Sequence, residues 1–369
     1  MSVRTEAPRT ARRARPAIPR PVSPPVGADF APAPSPDGRR VAFLSDRAGT
    51  PGVWVCEVDA GTPVALPVGD EPVLALSWSP DGQWLACGAL MAVTETDAHG
   101  RALLVDAATG HRRVLAEGEL LTLLDVTADG GAALLRRGPR NARWLELLDV
   151  ATGVRRRLLP DSGRGSTDQG WFGPDGTSVL ARTDAYSELA ALVRVDLTRP
   201  EQPPTRLAGR PDAELEHVTP SADGQRGALL WNTYGGRSEL SLLDFTSGVQ
   251  RAVAAPGEVL GDAVFAADGG LLCLTAQGPV RPREVWLVDP STGASRPLRS
   301  DTAARTDDAG VAPYLVDLRA RDGLPLSGWL YRPAGPGPWP TAISLHGGPE
   351  AQERPGYHPL LQALVAQGV

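Results

Sequence analysis

The sequence lacks lysine altogether: all 37 basic residues of this 369-residue chain are arginines. A phosphate-loop lysine, a Schiff-base lysine and a Ser-Lys dyad are therefore excluded from its chemistry. The 43 acidic residues outnumber the basic ones and give a formal net charge of −6. Because binding to nucleic acid needs a concentrated positive surface, we expect no nucleic-acid partner.

Cysteine is scarce, and the three cysteines lie far apart without any Cys-x-x-Cys motif. They are Cys56, Cys87 and Cys273. We interpret them as buried free thiols, which suit a reducing compartment, and we predict neither a metal site nor a cofactor. The N-terminus has no apolar signal segment, and no stretch approaches about 18 consecutive apolar residues. The sequence therefore predicts a cytoplasmic protein without a membrane partner.

Length and composition favour about two globular domains after a short basic arm. Apolar residues make up 42% of the chain and charged residues 22%, which are ordinary values for globular proteins. Residues 1–27 are rich in arginine and proline and contain no continuous apolar segment. We interpret this segment as a disordered arm.

An Asp-Gly turn recurs through most of the chain. The aspartates of the six turns are Asp37, Asp81, Asp129, Asp175, Asp223 and Asp268. Successive aspartates are separated by 44, 48, 46, 48 and 45 residues. Glycine tolerates the positive φ of such tight turns, and the aspartate caps them. We therefore interpret these aspartates as turn residues, not as metal ligands or catalytic groups.

Each repeat places the same apolar segments around its Asp-Gly turn. In the second repeat, residues 74–79 precede the turn and residues 83–90 follow it. A third apolar run, residues 103–110, ends in a Thr-Gly turn before a polar closing strand. Four short strands in a repeat of about 45 residues are typical of WD40-like propeller blades. The sequence predicts a β-propeller over residues 28–300, with six blades or with a seventh, degenerate one, and tryptophans packed between blades.

The repeat ends near residue 300, and a different pattern follows. Residues 301–312 predict a polar linker, and residues 313–369 predict a second domain. Two strands around an Arg-Asp-Gly turn are expected within residues 312–333, and a short buried strand over residues 341–345.

A His-Gly-Gly-Pro turn comes directly after that short strand, and a helix is predicted near the C-terminus. The helix is indicated by four apolar residues that share one face: Leu360, Leu361, Leu364 and Val365. A strand, a glycine turn and a helix in this order are typical of the beginning of a βαβ unit.

This order of elements resembles the prolyl oligopeptidase family of serine peptidases, and most closely its acylaminoacyl-peptidase-like branch. The resemblance rests on the Asp-Gly repeats followed by RDGLPLSGWLYRP, HGGPEAQERPGYHP and the C-terminal helix. It implies a mainly β fold: a six- or seven-bladed β-propeller followed by the opening strands and first helix of an incomplete α/β-hydrolase domain. Family propellers restrict access to small substrates, so short peptides or acyl-peptides are the implied partners. A homo-oligomer is compatible with the resemblance.

The resemblance also assigns roles around the His-Gly-Gly-Pro turn. The backbone N–H of Gly348 corresponds to an oxyanion-hole donor, and Gly347 allows a substrate carbonyl to approach closely. His346 and Pro349 are expected to shape the loop rather than to catalyse. The family's Ser-Asp-His triad needs a serine in a Gly-x-Ser-x-Gly elbow. The serines with a glycine two positions before them lack the second glycine: Ser178, Ser238 and Ser295.

Without a nucleophile elbow, the chain as given is expected to be inactive alone. Two other interpretations remain open: a non-enzymatic propeller that binds protein or peptide, and a hydrolase domain completed by a separate chain. Because parallel strands need neighbours on both edges and cover on both faces, we expect residues 313–369 to be poorly anchored.

Overall fold

The computed structural model describes residues 27–48, 51–66, 75–78, 85–88, 99–105, 112–127, 129–159, 165–299, 310–348 and 351–369. Within these ranges the chain is mainly β, with 26 strands and one α-helix. Most strands belong to four-stranded antiparallel sheets, which confirms a propeller-like β domain. Of the arm predicted over residues 1–27, only Gly27 is described, and it is buried against Arg47.

The four-stranded sheets are meanders of strands that are consecutive in the sequence. Sheet 1 contains β1 (Asp29–Pro34), β2 (Arg40–Ser45), β3 (Gly52–Glu57) and β4 (Pro63–Ala65). The second repeat contributes two separate pairs, β5 (Ala75–Trp78) with β6 (Leu85–Gly88), and β7 (His99–Val105) with β8 (Arg112–Glu119). Sheet 3 contains β9 (Thr122–Val126), β10 (Ala132–Arg137), β11 (Trp144–Asp149) and β12 (Arg155–Arg157).

Three more sheets of the same kind follow. Sheet 4 contains β13 (Thr167–Phe172), β14 (Ser178–Thr183), β15 (Ala191–Asp196) and β16 (Thr205–Ala208). Sheet 5 contains β17 (Glu214–Pro220), β18 (Arg226–Thr233), β19 (Arg237–Asp244) and β20 (Gln250–Val253). Sheet 6 contains β21 (Val259–Phe265), β22 (Leu272–Gly278), β23 (Arg281–Val288) and β24 (Ser295–Pro297). Single 3-10 turns occupy Arg140–Ala142 and Tyr234–Gly236.

The Asp-Gly turns join the first and second strands of the sheets. In sheet 1, Asp37 accepts hydrogen bonds from the Ser35 hydroxyl (2.6 Å) and the Arg39 amide (3.2 Å), and Gly38 has a φ of +67°. These two hydrogen bonds hold the pKa of Asp37 below its ordinary value, and the bond from Ser35 has the larger effect. Equivalent turns with left-handed glycines occur at Asp129, Asp175, Asp223 and Asp268. The predicted turn role is confirmed at these positions, and the turn at Asp81 lies outside the described residues.

The second strand of each sheet is buried on both faces because neighbouring sheets cover it. In β2, every residue from Val41 to Ser45 is buried. This double burial explains why such strands are continuous apolar runs instead of alternating ones. The fourth strands are the outer edges, and β12 exposes Arg155 and Arg157. Charges on an edge strand oppose pairing with other chains.

Apolar clusters lie between successive sheets. Leu240 of sheet 5 and Leu272 of sheet 6 belong to one cluster. The cluster between sheets 4 and 5 includes Trp231, which is 1% exposed and whose Nε1 donates to Ser241 Oγ at 2.8 Å. Here the predicted packing of a tryptophan between repeats is confirmed.

Sheet 6 packs against sheet 1, so the last sheet meets the first. Phe43 and Cys56 of sheet 1 share an apolar cluster with Cys273 and Leu287 of sheet 6. Both thiols are free and buried, as predicted, and burial raises the pKa of Cys273 to about 12. The side chain of Cys87 lies outside the described residues.

A buried ion pair reinforces this closing seam between sheets 6 and 1. Asp29, at the start of β1, is fully buried and pairs with Arg47 at 2.6 Å and with Arg299 at 3.0 Å. Arg299 follows β24, so the pair joins the two ends of the sheet domain. Two cations compensate for the desolvation of one carboxylate, which a buried charge requires.

The closing seam and two internal seams share one more contact. In each, an arginine from the third or fourth strand of one sheet donates to a carbonyl just after the third strand of the next sheet. The bonds are Arg194 to Phe245 (2.6 Å), Arg251 to Pro290 (2.5 Å) and, at the closing seam, Arg296 to Val58 (2.7 Å). No described sheet combines strands from both ends of the domain. The ring is therefore closed by side chains.

The C-terminal residues form a hairpin and a helix, as predicted. The hairpin consists of β25 (Tyr314–Arg319) and β26 (Pro325–Leu330), and the helix is α1 (Pro359–Ala366). The predicted apolar face of α1 is only partly covered, because Val365 is buried whereas Leu360 is 61% exposed.

The short buried strand predicted over residues 341–345 is wrong. These residues are unpaired and exposed, with Ile343 at 84% and Leu345 at 86% exposure. A buried strand of a parallel sheet needs paired neighbours and cover on both faces. None of the described residues supplies either, so the apolar run stays extended in solvent.

Candidate functional site

The residues predicted to form an oxyanion loop lie in this unpaired segment. Gly347 and Gly348 are exposed, and a Cβ on Gly347 would meet no atom within 4 Å. His346 turns back on the loop, with Nδ1 2.7 Å from the Gly347 carbonyl oxygen. The loop-shaping role of His346 stays a prediction. Pro349 lies outside the described residues.

The hairpin before the loop is docked on residues 234–236, the turn between β18 and β19, which we call the docking turn. Trp329 Nε1 donates to the Gly235 carbonyl oxygen at 3.1 Å, and the Tyr234 hydroxyl donates to the Asp317 carboxylate. Gly235 has a φ of +75°, and a Cβ there would lie 2.8 Å from a hairpin side chain. Glycine therefore satisfies both the backbone conformation and the close approach.

After the loop, the chain returns to the docking turn through Arg354. Its Nη1 lies 2.7 and 2.9 Å from the two carboxylate oxygens of Glu216 on β17. Its Nε donates to the Gly236 carbonyl oxygen at 2.7 Å, and its Nη2 donates to the Ser238 Oγ at 2.8 Å. Every nitrogen of this guanidinium is thus bonded to sheet 5, a planar recognition that lysine cannot reproduce.

The helix is docked on sheet 6, at the turn between β22 and β23. Gln362 Nε2 donates to the carbonyl oxygens of Pro279 (2.9 Å) and Val311 (3.0 Å). Shortly before α1, the Tyr357 amide donates to Gln277 Oε1 at 3.2 Å. The expectation of a poorly anchored C-terminal segment is therefore wrong for the hairpin and the helix. It holds for the exposed loop between them.

A polar cluster lies on sheets 4 and 5, next to their first strands. Gln169 Oε1 accepts a bond from the Val218 amide at 3.2 Å, so its Nε2 donates to His217 Nδ1 at 2.7 Å. Arg182 pairs with Asp168 at 2.7 Å beside them. The pKa of His217 is lowered mainly by burial and, to a smaller extent, by the charge of Arg182. The ring is therefore held uncharged between two sheets near neutral pH.

The described residues do not bring a catalytic triad together. Their histidine hydrogen bonds run to Gln169 and to the Gly347 carbonyl, and none runs to a serine hydroxyl. Within the same ranges, no group of three or more His, Cys, Asp or Glu side chains is placed to hold a metal ion. The described part of the chain also contains no helix with the length and hydropathy needed to cross a bilayer.

Sequence reasoning missed Arg354, Glu216 and the docking turn. A signal was present, because Gly235 and Gly236 form a Gly-Gly pair where the other repeats have no such pair between their second and third strands. Paired glycines after an apolar strand indicate close approach of another segment. The partners of that approach, however, lie 94 residues away for Trp329 and 118 residues away for Arg354, and they cannot be read from spacing.

No protein-family model and no curated protein sequence matches this chain. Solved structures do resemble it. A puromycin-hydrolyzing peptidase from Mycobacterium tuberculosis gives a TM-score of 0.69 at 16% identity, covering 93% of this chain and 64% of that chain. A mutant of puromycin hydrolase complexed with PGG gives 0.67 at 18% identity, covering 94% and 66%. The acylaminoacyl peptidase of Pyrococcus horikoshii gives 0.57 at 16% identity, covering 92% and 56%.

Each of these similarities covers at least 92% of this chain. The chain spans 56–66% of the length of the three structures. At identities of 16–18%, the TM-scores of 0.57–0.69 establish a common fold and nothing finer. The resemblance inferred from the sequence is confirmed at that level: this chain shares the fold of the puromycin-hydrolyzing and acylaminoacyl peptidases, which resemble it over nearly all of its residues.

Proposed function

We propose that this chain is the propeller and first catalytic part of a serine-peptidase-like hydrolase that acts on short peptides or acyl-peptides. The supporting observation is the fold shared with peptidases, which covers 93–94% of this chain. The His-Gly-Gly-Pro sequence, at the place where an oxyanion loop would follow the hairpin, adds chemistry to that likeness.

The same proposal gives the domain organisation. The propeller spans residues 28–300 and has six blades, five of them the four-stranded sheets and the sixth the paired strands β5 to β8. Residues 301–312 are the linker, and residues 313–369 open the α/β-hydrolase domain. The ring of sheets limits access to substrates small enough to enter.

In the proposed reaction, the Gly348 amide donates a hydrogen bond to the oxygen that becomes negative when an acyl carbon is attacked. Such a donor stabilises the transition state only when a nucleophile is present. This sequence contains no Gly-x-Ser-x-Gly elbow, so the chain alone binds a carbonyl without attacking it. Purified 369-residue protein is expected to remain unlabelled by a fluorophosphonate probe, and labelling would contradict the proposal.

The decisive experiment begins with the coding sequence downstream of codon 369. A Gly-x-Ser-x-Gly elbow followed by a later aspartate and histidine is expected there. In the longer chain, Gly348→Pro removes the amide hydrogen and should lower kcat on N-acyl or free-amino peptide anilides by about 10²–10³-fold. Gly348→Ala keeps that hydrogen and is the matched control. An inactive chain that still binds peptides would instead support a non-enzymatic propeller.

A further inference from the structure

The exposed loop begins and ends on one turn of sheet 5. Trp329 contacts the docking turn before the loop, and Arg354 contacts it after the loop. Next to Arg354, Gln352 Oε1 accepts a hydrogen bond from the Asn232 side chain at 2.9 Å. The described residues between these contacts, which include His346 to Gly348, therefore lie in a segment whose two ends both contact the docking turn.

The contacts of Arg354 reach the interior of the sheet domain. Ser238, which accepts from Arg354, is buried and also accepts a bond from the Leu260 amide of sheet 6 at 2.9 Å. Glu216 lies on β17, the first strand of sheet 5. Arg354 therefore connects the C-terminal residues to the seam between sheets 5 and 6, and not merely to a surface loop.

Neither the hairpin nor the helix is long enough to be stable by itself. A two-stranded hairpin is marginal in water, and an eight-residue helix falls below the length at which isolated helices persist. Much of the hairpin also remains exposed, including Tyr314, Leu318 and Leu326. Their order therefore depends on docking.

We propose that Arg354 is the positioning residue that anchors the C-terminal end of the segment containing His346–Gly348 on the propeller-like domain, by binding Glu216, Gly236 and Ser238. The anchoring itself needs no catalytic chemistry. Its role in placing an oxyanion donor rests on the proposed function. Arg354 acts through the backbone that it holds and does not touch a substrate.

Hydrogen–deuterium exchange of the 369-residue chain tests the anchor directly. Arg354→Ala should raise exchange in residues 314–330 and 359–366 by about tenfold, because a partly buried, four-contact arginine is lost. Strands β18 and β19 should keep their protection. Arg354→Lys should give an intermediate rate, because the charge remains but the planar fork is lost.

A second pair of variants separates docking from backbone strain. Gly236 has a φ of +73°, and a Cβ there would lie 2.9 Å from Arg354 Cγ. Gly248, in the same sheet, has a φ of +72° with nothing within 4 Å of its Cβ. Both alanine variants carry the same strain, so only Gly236→Ala should release the hairpin and helix.

A double-mutant cycle tests whether Glu216 is the partner. In the double variant Arg354→Ala/Glu216→Ala, the hairpin and helix should exchange no faster than in Arg354→Ala alone. Both substitutions remove the same contact, so the second has no further effect. Arg210→Ala is the arginine control, because Arg210 pairs with Asp212 and Glu239 within the sheet domain. Unchanged exchange in Arg354→Ala, additive effects in the cycle or equal effects of the controls would overturn the proposal.

These outcomes are independent of catalysis. Should the longer chain lack peptidase activity while Arg354→Ala still releases the hairpin and helix, the anchor stands and the proposed function fails. If the longer chain is an active peptidase while Arg354→Ala leaves the exchange of the hairpin and helix unaltered, the proposed function stands and the anchor fails.

Discussion

The sheets and the C-terminal residues contain similar apolar stretches, but the stretches are buried in the sheets and exposed in the C-terminal residues. Phe43 and Leu44 in β2 have 0% exposure, whereas Ile343 and Leu345 remain almost fully exposed. Strand partners border β2 on both sides, and neighbouring sheets cover it. An apolar run therefore becomes a strand only where other elements pair with its edges and pack on its faces.

The two regions also differ in how they are held. Each four-stranded sheet carries its own ladder of hydrogen bonds and buries apolar clusters against its neighbours. The hairpin and α1 are attached mainly through side chains at two turns. We therefore expect the sheet domain to unfold globally and the C-terminal residues to open locally.

The largest difference should come from tryptophan removal. Trp231→Ala should lower the free energy of unfolding by about 3–5 kcal/mol, because it leaves a cavity between sheets 4 and 5. Trp339→Ala, in the C-terminal region, should cost less than about 1 kcal/mol, because it loses mainly the contact with Arg332. Urea unfolding followed by circular dichroism measures both. Equal losses would remove the contrast between the regions.

A somewhat smaller loss is expected at the closing seam. Asp29→Ala removes the buried carboxylate shared by Arg47 and the buried Arg299 and should cost about 3 kcal/mol. Asp59→Ala is the control, since Asp59 is exposed and lies 3.8 Å from Arg296. It should change the stability by less than about 0.5 kcal/mol. Exchange of β1 should rise in the first variant only.

The pH dependence should distinguish the regions more subtly. The folded-state pKa of His217 is lowered by burial and by Arg182, so the unfolded chain binds a proton more readily. Stability is therefore fully present above pH 6.5, the ordinary value for histidine, and declines as the pH falls below it. His217→Gln should remove this component of the unfolding profile.

The smallest effect is expected in the unpaired run. Ile343→Ser should alter the unfolding free energy by less than about 0.5 kcal/mol, because the side chain is already in water. Leu44→Ala, at an equally apolar position in β2, should cost about 2–5 kcal/mol. A large loss for Ile343→Ser would show that residues 341–345 are covered in solution.

The repeat was the most predictable part of the fold. An Asp-Gly turn is a local device, in which Asp37 and Gly38 satisfy their own hydrogen bonds and backbone angles. The strand order of each sheet could therefore be predicted from the regular spacing of these turns. The hairpin around Gly323 was predictable for the same reason.

The candidate site was less predictable because its geometry depends on distant partners. The pairing of Arg354 with Glu216 spans 138 residues, and nothing local in either segment announces it. The strand over residues 341–345 was expected because β-branched and apolar residues favour strands. The partners that such a strand requires are not among the described residues. The loop chemistry of Gly347 and Gly348 came from resemblance and remains a prediction.

The arginine contacts at the seams have a consequence for how such a ring can change. Arg296 bridges the closing seam in the same way as Arg194 and Arg251 bridge two internal seams. A circularly permuted chain, opened between sheets 3 and 4 and joined through its old ends, would keep all three of these contacts, because none of them crosses the new opening.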